Sequence, residues 1–132
     1  MKTIKILTFL ALLTAFIQAA PAQNAGIPNE IVTGLNTGDA NKLLAHLNDN
    51  VELVIGKQND VYSKQQAVGI ISDFFRKNKV YGFQILHNGN KEAANFIIGT
   101  LRTATGNYRL YLLTRKIDGK QLIQQLRIES NE

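Results

Sequence analysis

Cysteine is absent from this sequence. Disulfides, thiolate metal ligands and lipid attachment at a cysteine are therefore excluded, and the fold must hold by packing alone. No apolar run is long enough to cross a bilayer either: the longest, Ile6 to Ile17, is 12 residues, where a spanning helix needs about 20. Basic residues outnumber acidic ones 15 to 10, for a formal charge of +5, but they are scattered. That pattern lacks the contiguous footprint of a nucleic-acid binder. Ser63, Ser72 and Ser130 sit in no G-x-S-x-G elbow, the glycines form no phosphate loop, and no internal repeat or low-complexity tract is seen.

What is present begins with a leader. MKTIKILTFLALLTAFIQAAPAQ places Lys2 and Lys5 before the apolar run and small residues at Ala20-Pro21-Ala22, the layout of a secretory signal peptide cleaved after Ala22. Residues 1–22 are expected to be that peptide, and residues 23–132 a single domain of 110 residues, with a formal charge of +3 once Lys2 and Lys5 are gone. A periplasmic or secreted protein with no stable membrane anchor follows.

Helical spacing appears at Ile27, Ile31 and Leu35 and again at Leu43, Leu44 and Leu47, with Asn36-Thr37-Gly38-Asp39 between. Gly38 suits a left-handed helix end and Asp39 the cap of a second helix, so a helical hairpin is predicted. VELVIG, Val51 to Gly56, alternates like a strand, and a polar turn and a brief VYS follow it. In KQQAVGIISDFFRKNK the apolar set Ala67, Ile70, Ile71, Phe74 and Phe75 predicts a third helix capped by Ser63. The pair Phe74-Phe75 reads as core. The remainder reads as four antiparallel strands with turns at Asn88-Gly89, Gly106-Asn107 and Asp118-Gly119. The expected fold class is α+β: a cone-like curved antiparallel sheet wrapped on an N-terminal helical hairpin and a third helix.

Two-residue turns set the side-chain faces of the last three strands. One face collects Phe96, Ile98, Thr100, Arg102, Arg109, Tyr111, Leu113, Leu122, Gln124, Leu126 and Ile128, and by apolar content it is expected to point inward. The other carries Asn95, Thr114, Gln125, Arg127 and Glu129 beside Ile97, Leu101, Leu110 and Leu112. It is too apolar to be merely solvated, so a partner, a second copy of the chain, is expected to cover part of it as a homodimer through the sheet.

IVTGLNTGDANKLLAHLNDN, as a helical hairpin with a Gly-Asp turn, and SKQQAVGIISDFFRKN, as a third helix with an apolar-aromatic end, together resemble the nuclear transport factor 2-like superfamily. That superfamily has a cone-shaped α+β fold and includes steroid isomerases, SnoaL-type cyclases and many binding domains. The resemblance spans residues 27–129 and is nearest to secreted bacterial members of unassigned function. In the steroid isomerases a tyrosine, a general-base aspartate and a protonated acid move a proton and hold the enolate. The resemblance puts those positions at Ile31, Leu53 and, on the face expected to be internal, Leu113. None of these can donate, accept or transfer a proton.

Glu52, next to Leu53, alternates to the opposite face and reads as a solvated or interface carboxylate. His46 and His87 have no cysteine or clustered acid at ligand spacing, so neither a metal nor any other cofactor is expected. The polar residues left on the expected inner face, Thr100, Arg102, Arg109, Tyr111 and Gln124, are the candidate ligand-binding set. Two arginines across a hairpin repel unless solvent or an anion relieves them. The expected function is a non-catalytic binding domain with a mostly apolar pocket, taking a small amphipathic anion, with no catalytic residues. The alternatives are a cyclase, dehydratase or isomerase with unidentified residues, and a protein-protein module using the outer sheet face.

Overall fold

The computed structural model describes residues 26–131, and the leader read from residues 1–22 lies outside them. Among the described residues three helices, α1 (Asn29–Thr37), α2 (Ala40–Leu44) and α3 (Lys64–Lys77), accompany six strands. The strands are β1 (Leu47–Ile55), β2 (Gln58–Ser63), β3 (Val80–Lys91), β4 (Ala94–Thr103), β5 (Gly106–Ile117) and β6 (Lys120–Ser130). They form one curved, unclosed sheet in the order β2-β1-β6-β5-β4-β3. The fold is α+β, as expected. Every pairing is antiparallel except that of β1 with β6, which is parallel.

Local chemistry explains the helix boundaries. Gly38 takes φ 68° and its N–H closes α1 on the Gly34 carbonyl, a conformation that costs glycine least. The Asp39 carboxylate accepts the Asn41 N–H at 3.0 Å to start α2. Ser63 and Gln66 form a capping box at the start of α3. Between β5 and β6, Asp118 and Gly119 adopt φ 51° and 80°, and Ile117 faces Lys120.

Two turns differ from expectation. Asn88-Gly89 lies inside β3, and the chain reverses instead at Glu92, φ 57°, between the paired residues Lys91 and Ala94. Gly89 serves close approach rather than a turn: a Cβ there would lie 2.9 Å from two carbons of the Phe96 ring. Gly106 pairs with Thr103 as the first residue of β5, so the turn residues are Ala104 and Thr105.

The expected inner face is corrected for β4 and β5. The predicted grouping of Phe96, Ile98, Thr100 and Arg102 on one face with Arg109, Tyr111 and Leu113 holds. The turn at Ala104-Thr105 pairs Thr100 with Arg109 and Ile98 with Tyr111, a register different from that of a Gly106-Asn107 turn. The helices, however, cover the other face. Ile31, Leu35, Leu43 and Ile71 pack with Leu53, Ile97, Leu101, Leu110, Leu112, Ile123 and Leu126, all at 0% exposure. Each such side chain contributes about 1.5–3 kcal/mol, as an upper bound. Thr100, Arg102, Arg109, Tyr111 and Leu113 therefore point away from the helices. The reason is a β-bulge: Leu113 pairs with Gln125 but Thr114 with Ile123, leaving Gln124 as an extra residue in β6. Beyond it Leu126 and Ile128 face Leu112 and Leu110. A straight register credits these two buried residues to the wrong face. The chain's own helices cover the face for which a second copy was expected.

Candidate functional site

The centre of the helix-covered sheet face is closely packed with aliphatic side chains. Ile31 and Leu53, at the positions where the resemblance puts the isomerases' tyrosine and base, are fully buried among aliphatic neighbours. Leu113 lies on the outer face and is only half-buried. Among the described residues the buried polar ones are Asn95, Thr103 and Thr114, and none of these has an ionisable side chain.

Gln124 is separated from the rest of the predicted set. Its Oε1 accepts the Asn48 side-chain N–H at 3.2 Å, where β1 loops out opposite the bulge: Leu47 pairs with Ile123, and the next partner pair is Glu52 with Gln125. Its Nε2 is buried and has no hydrogen-bond partner among the described residues.

The other four predicted residues do come together, on the outer face. Strand pairing arranges that face in rows. Gly89, Phe96, Leu113, Gln125 and Glu52 form one row. The next holds His87, Ile98, Tyr111, Arg127 and Val54. Gln84, Thr100, Arg109 and Glu129 form the third, followed by Gly82, Arg102 and Asn107. At the centre Phe96, Ile98, Tyr111 and Leu113 make a two-by-two apolar patch, each half-buried. The Phe96 and Tyr111 rings stack with centroids 6.5 Å apart and planes inclined by 21°. Beside them is a depression of about 470 Å³, walled by Lys91, Glu92, Phe96, Tyr111, Leu113 and Arg115. Sequence reasoning missed Lys91 and Arg115, although period-two alternation from Leu113 places Arg115 on this face.

A second concavity, about 500 Å³, opens between α3 and the ends of β1, β5 and β6. Ile70, Phe74, Tyr108 and Ile128 give it an apolar lining, and Asp73, Lys77, Asn78 and Ser130 a polar one. Phe75 is core as expected, whereas Phe74 is half-buried and stands edge-on to Tyr108 at 5.1 Å. The Tyr108 hydroxyl donates to Asn78 Oδ1 at 3.1 Å. Lys77, donating to Asp73 at 3.1 Å, holds that carboxyl below the ordinary carboxylate range, with Arg76 adding to the effect. A carboxyl so held stays anionic near neutral pH and makes a poor general acid.

His46 bonds Glu30 at 2.8 Å across the helical hairpin. His87 is exposed on β3, and Glu52 is exposed and faces away from Leu53, as alternation predicts. No cluster of three metal-ligating side chains occurs among the described residues, and no helix among them is long and apolar enough to cross a membrane.

A family model described as a domain of unknown function, DUF4783, matches residues 28–129. Crystal structures of DUF4783 proteins from Bacteroides fragilis, Bacteroides ovatus and Bacteroides uniformis are similar at 38%, 36% and 32% identity, with TM-scores of 0.76, 0.77 and 0.77. The matches cover 80%, 84% and 81% of this chain and 99%, 100% and 99% of those chains. A designed protein, Rd1NTF2_04 with long sheet, is similar at 21% identity and TM-score 0.61, over 76% of this chain and 94% of that one. A de novo designed protein with a curved β-sheet reaches 0.60 at 12% identity, over 77% of this chain and 94% of that one. These two likenesses concern the fold alone. None of the curated proteins matches. The packed aliphatic core, the capped helices and the six-stranded sheet are thus set in a sequence matched over nearly all its described length, and the chain belongs to the DUF4783 family.

Proposed function

We propose that the domain is a non-catalytic binding module, periplasmic or secreted, that works by protein contact through the outer face of its sheet. One observation carries the reading: aliphatic side chains at 0% exposure pack the helix-covered face, while the apolar residues left over gather on the open face with arginines around them. Tyrosine, phenylalanine and arginine are the side chains over-represented in interface cores, and an aromatic pair flanked by arginine is the composition of a binding hot spot.

The test is site-specific photocrosslinking in the cell that makes the protein. Benzoylphenylalanine in place of Tyr111 or Ile98 is expected to give discrete protein adducts, and in place of Gln65, exposed on α3, none. Adducts from Gln65 alone, or from no position, would overturn the reading. A second reading, a small amphipathic ligand, is favoured by the cleft of about 500 Å³ with its apolar lining. Under it, a panel of fatty acids, bile-type acids and aromatic carboxylates raises the melting temperature, and Phe74→Ala abolishes the rise.

A further inference from the structure

The chemistry of the outer face also specifies what would cover it. We infer that the partner presents an acidic polypeptide segment with an aromatic or large aliphatic anchor, seated on Phe96 and Tyr111. This rests on the outer face being the working surface.

The anchor site has a built floor. Because Gly89 has no side chain, the Phe96 ring lies down over β3, next to the stacked Tyr111 ring. Leu113 extends the apolar surface, and the depression of about 470 Å³ beside it takes one large side chain. Offset stacking and burial against such a pair favour an aromatic or bulky aliphatic group.

The charges define the rest of the segment. Lys91 and Arg115 wall the depression, and Arg102 and Arg109 continue the cationic side toward the β4–β5 turn. None of these four has a carboxylate within ion-pairing distance among the described residues, whereas Arg127 is tied to Glu129 at 3.6 Å. Of the carboxylates on the face, Glu92 lines the depression itself without ion-pairing to Lys91 or Arg115, Glu52 lies further along the rows, and Glu129 is held by Arg127, so the four unpaired cations outnumber the two unpaired carboxylates. A second copy docked face to face through a two-fold axis would set these arginines against themselves, which disfavours self-pairing. A nucleic acid needs cations in a continuous track for its phosphates, but here they surround an apolar centre. Carboxylates flanking an apolar anchor satisfy both features.

A random copolymer of glutamate and tyrosine serves as the probe, compared with polyglutamate, a lysine–tyrosine copolymer and oligothymidine, by fluorescence anisotropy on the folded domain. Binding should be strongest to the glutamate–tyrosine polymer, absent for the lysine–tyrosine polymer, and weaker at about 0.5 M salt. Arg115→Glu and Tyr111→Ala should each weaken it roughly tenfold, while Lys57→Glu, in the β1–β2 turn away from this face, should not. Circular dichroism melts confirm that each variant is folded, and exposed Arg115 gives a substitution that leaves the core untouched. The inference is overturned if polyglutamate or oligothymidine binds as well as the mixed polymer, if Lys57→Glu weakens binding as much as Arg115→Glu, or if nothing binds. Crosslinks from Tyr111 to another copy of this chain, or to a partner without an acidic segment, would overturn it while leaving the outer face as the working surface. Loss of all Tyr111 crosslinks would remove that surface itself.

Discussion

Replacing Leu53 with aspartate puts a carboxyl at the position where the resemblance places the isomerases' base, and it measures how tightly the core around β1 is packed. Leu53 is fully buried and pairs with Leu126, also fully buried. Truncation to alanine, Leu53→Ala, should cost about 2–5 kcal/mol, from lost transfer energy and the cavity left behind. Leu53→Asp keeps most of that loss and adds a buried carboxyl without a partner, about 1–3 kcal/mol more even when it is protonated. Set against roughly 5–15 kcal/mol for a whole domain, the aspartate variant should be largely unfolded near neutral pH. With a urea slope of about 1–3 kcal/mol per molar, Leu53→Ala should lower the unfolding midpoint by about 1–3 M. The acid form of a carboxyl is favoured in an apolar core, so the folded-state pKa of the introduced group lies above its unfolded value of about 3.9. The native state then binds more protons than the unfolded one, and stability falls by about 1.4 kcal/mol for each pH unit between the two values. Urea titrations followed by circular dichroism, on both variants at about pH 5 and about pH 8, read the midpoint and the slope. If Leu53→Asp stays within about 1 kcal/mol of the parent chain and shows no such slope, water or spare volume surrounds β1. The case against a buried site then fails.

Four further outcomes follow from particular contacts. Gly99→Ala puts a Cβ 2.3 Å from the Gln84 carbonyl oxygen and 2.7 Å from the Phe83 ring, so thermal melts should show a loss of about 2 kcal/mol or more. Gly89→Ala meets only the Phe96 ring edge at 2.9 Å, and by tilting that ring it should cost about 1 kcal/mol or less while weakening binding at the outer face. Ser63→Ala removes the capping box of α3 and should lower stability by about 1 kcal/mol in urea unfolding. The Asp73 carboxyl, held low first by its hydrogen bond from Lys77 and then by the charges of Lys77 and Arg76, should titrate in NMR below an ordinary aspartate and shift upward in Lys77→Met. Its folded-state pKa is depressed, so its contribution to stability is complete above the ordinary value and is lost as pH falls through the lowered one, in the window below about pH 4.

Much of this fold was legible because local chemistry and hydrophobic period agree. Gly38 and Asp39 turn the helical hairpin, Ser63 opens α3, and Asp118-Gly119 fixes one β-hairpin to the residue. The failures have a common physical form. Gly89 looks like a turn glycine, yet its lack of a side chain accommodates the Phe96 ring on the neighbouring strand, a long-range demand that no dipeptide encodes. Gln124 looks like one more residue in an alternating strand, but as the bulge residue it reverses the parity of β6. A correct face grouping in β4 and β5, joined to the wrong half of β6, therefore led to the wrong inner face.

That reversal bears on function. Alternation gives both faces of β4 and β5 an apolar series, and only the face carrying Ile97, Leu101, Leu110 and Leu112 meets the helices. The apolar demand of folding is met there, with the deepest side chains at 0% exposure. Phe96, Ile98, Tyr111 and Leu113 are therefore surplus to the core, and an open sheet face ordinarily alternates to polar residues. Two aromatic rings stacked on that face, over a strand with a glycine beneath one of them, cost solubility unless something covers them. Under the proposed function, arginines around them would keep the face hydrated while it is free and select an anionic partner when it is not. The residues that misled the choice of inner face are thus the ones for which packing against the helices supplies no reason, and on which the proposed binding role rests.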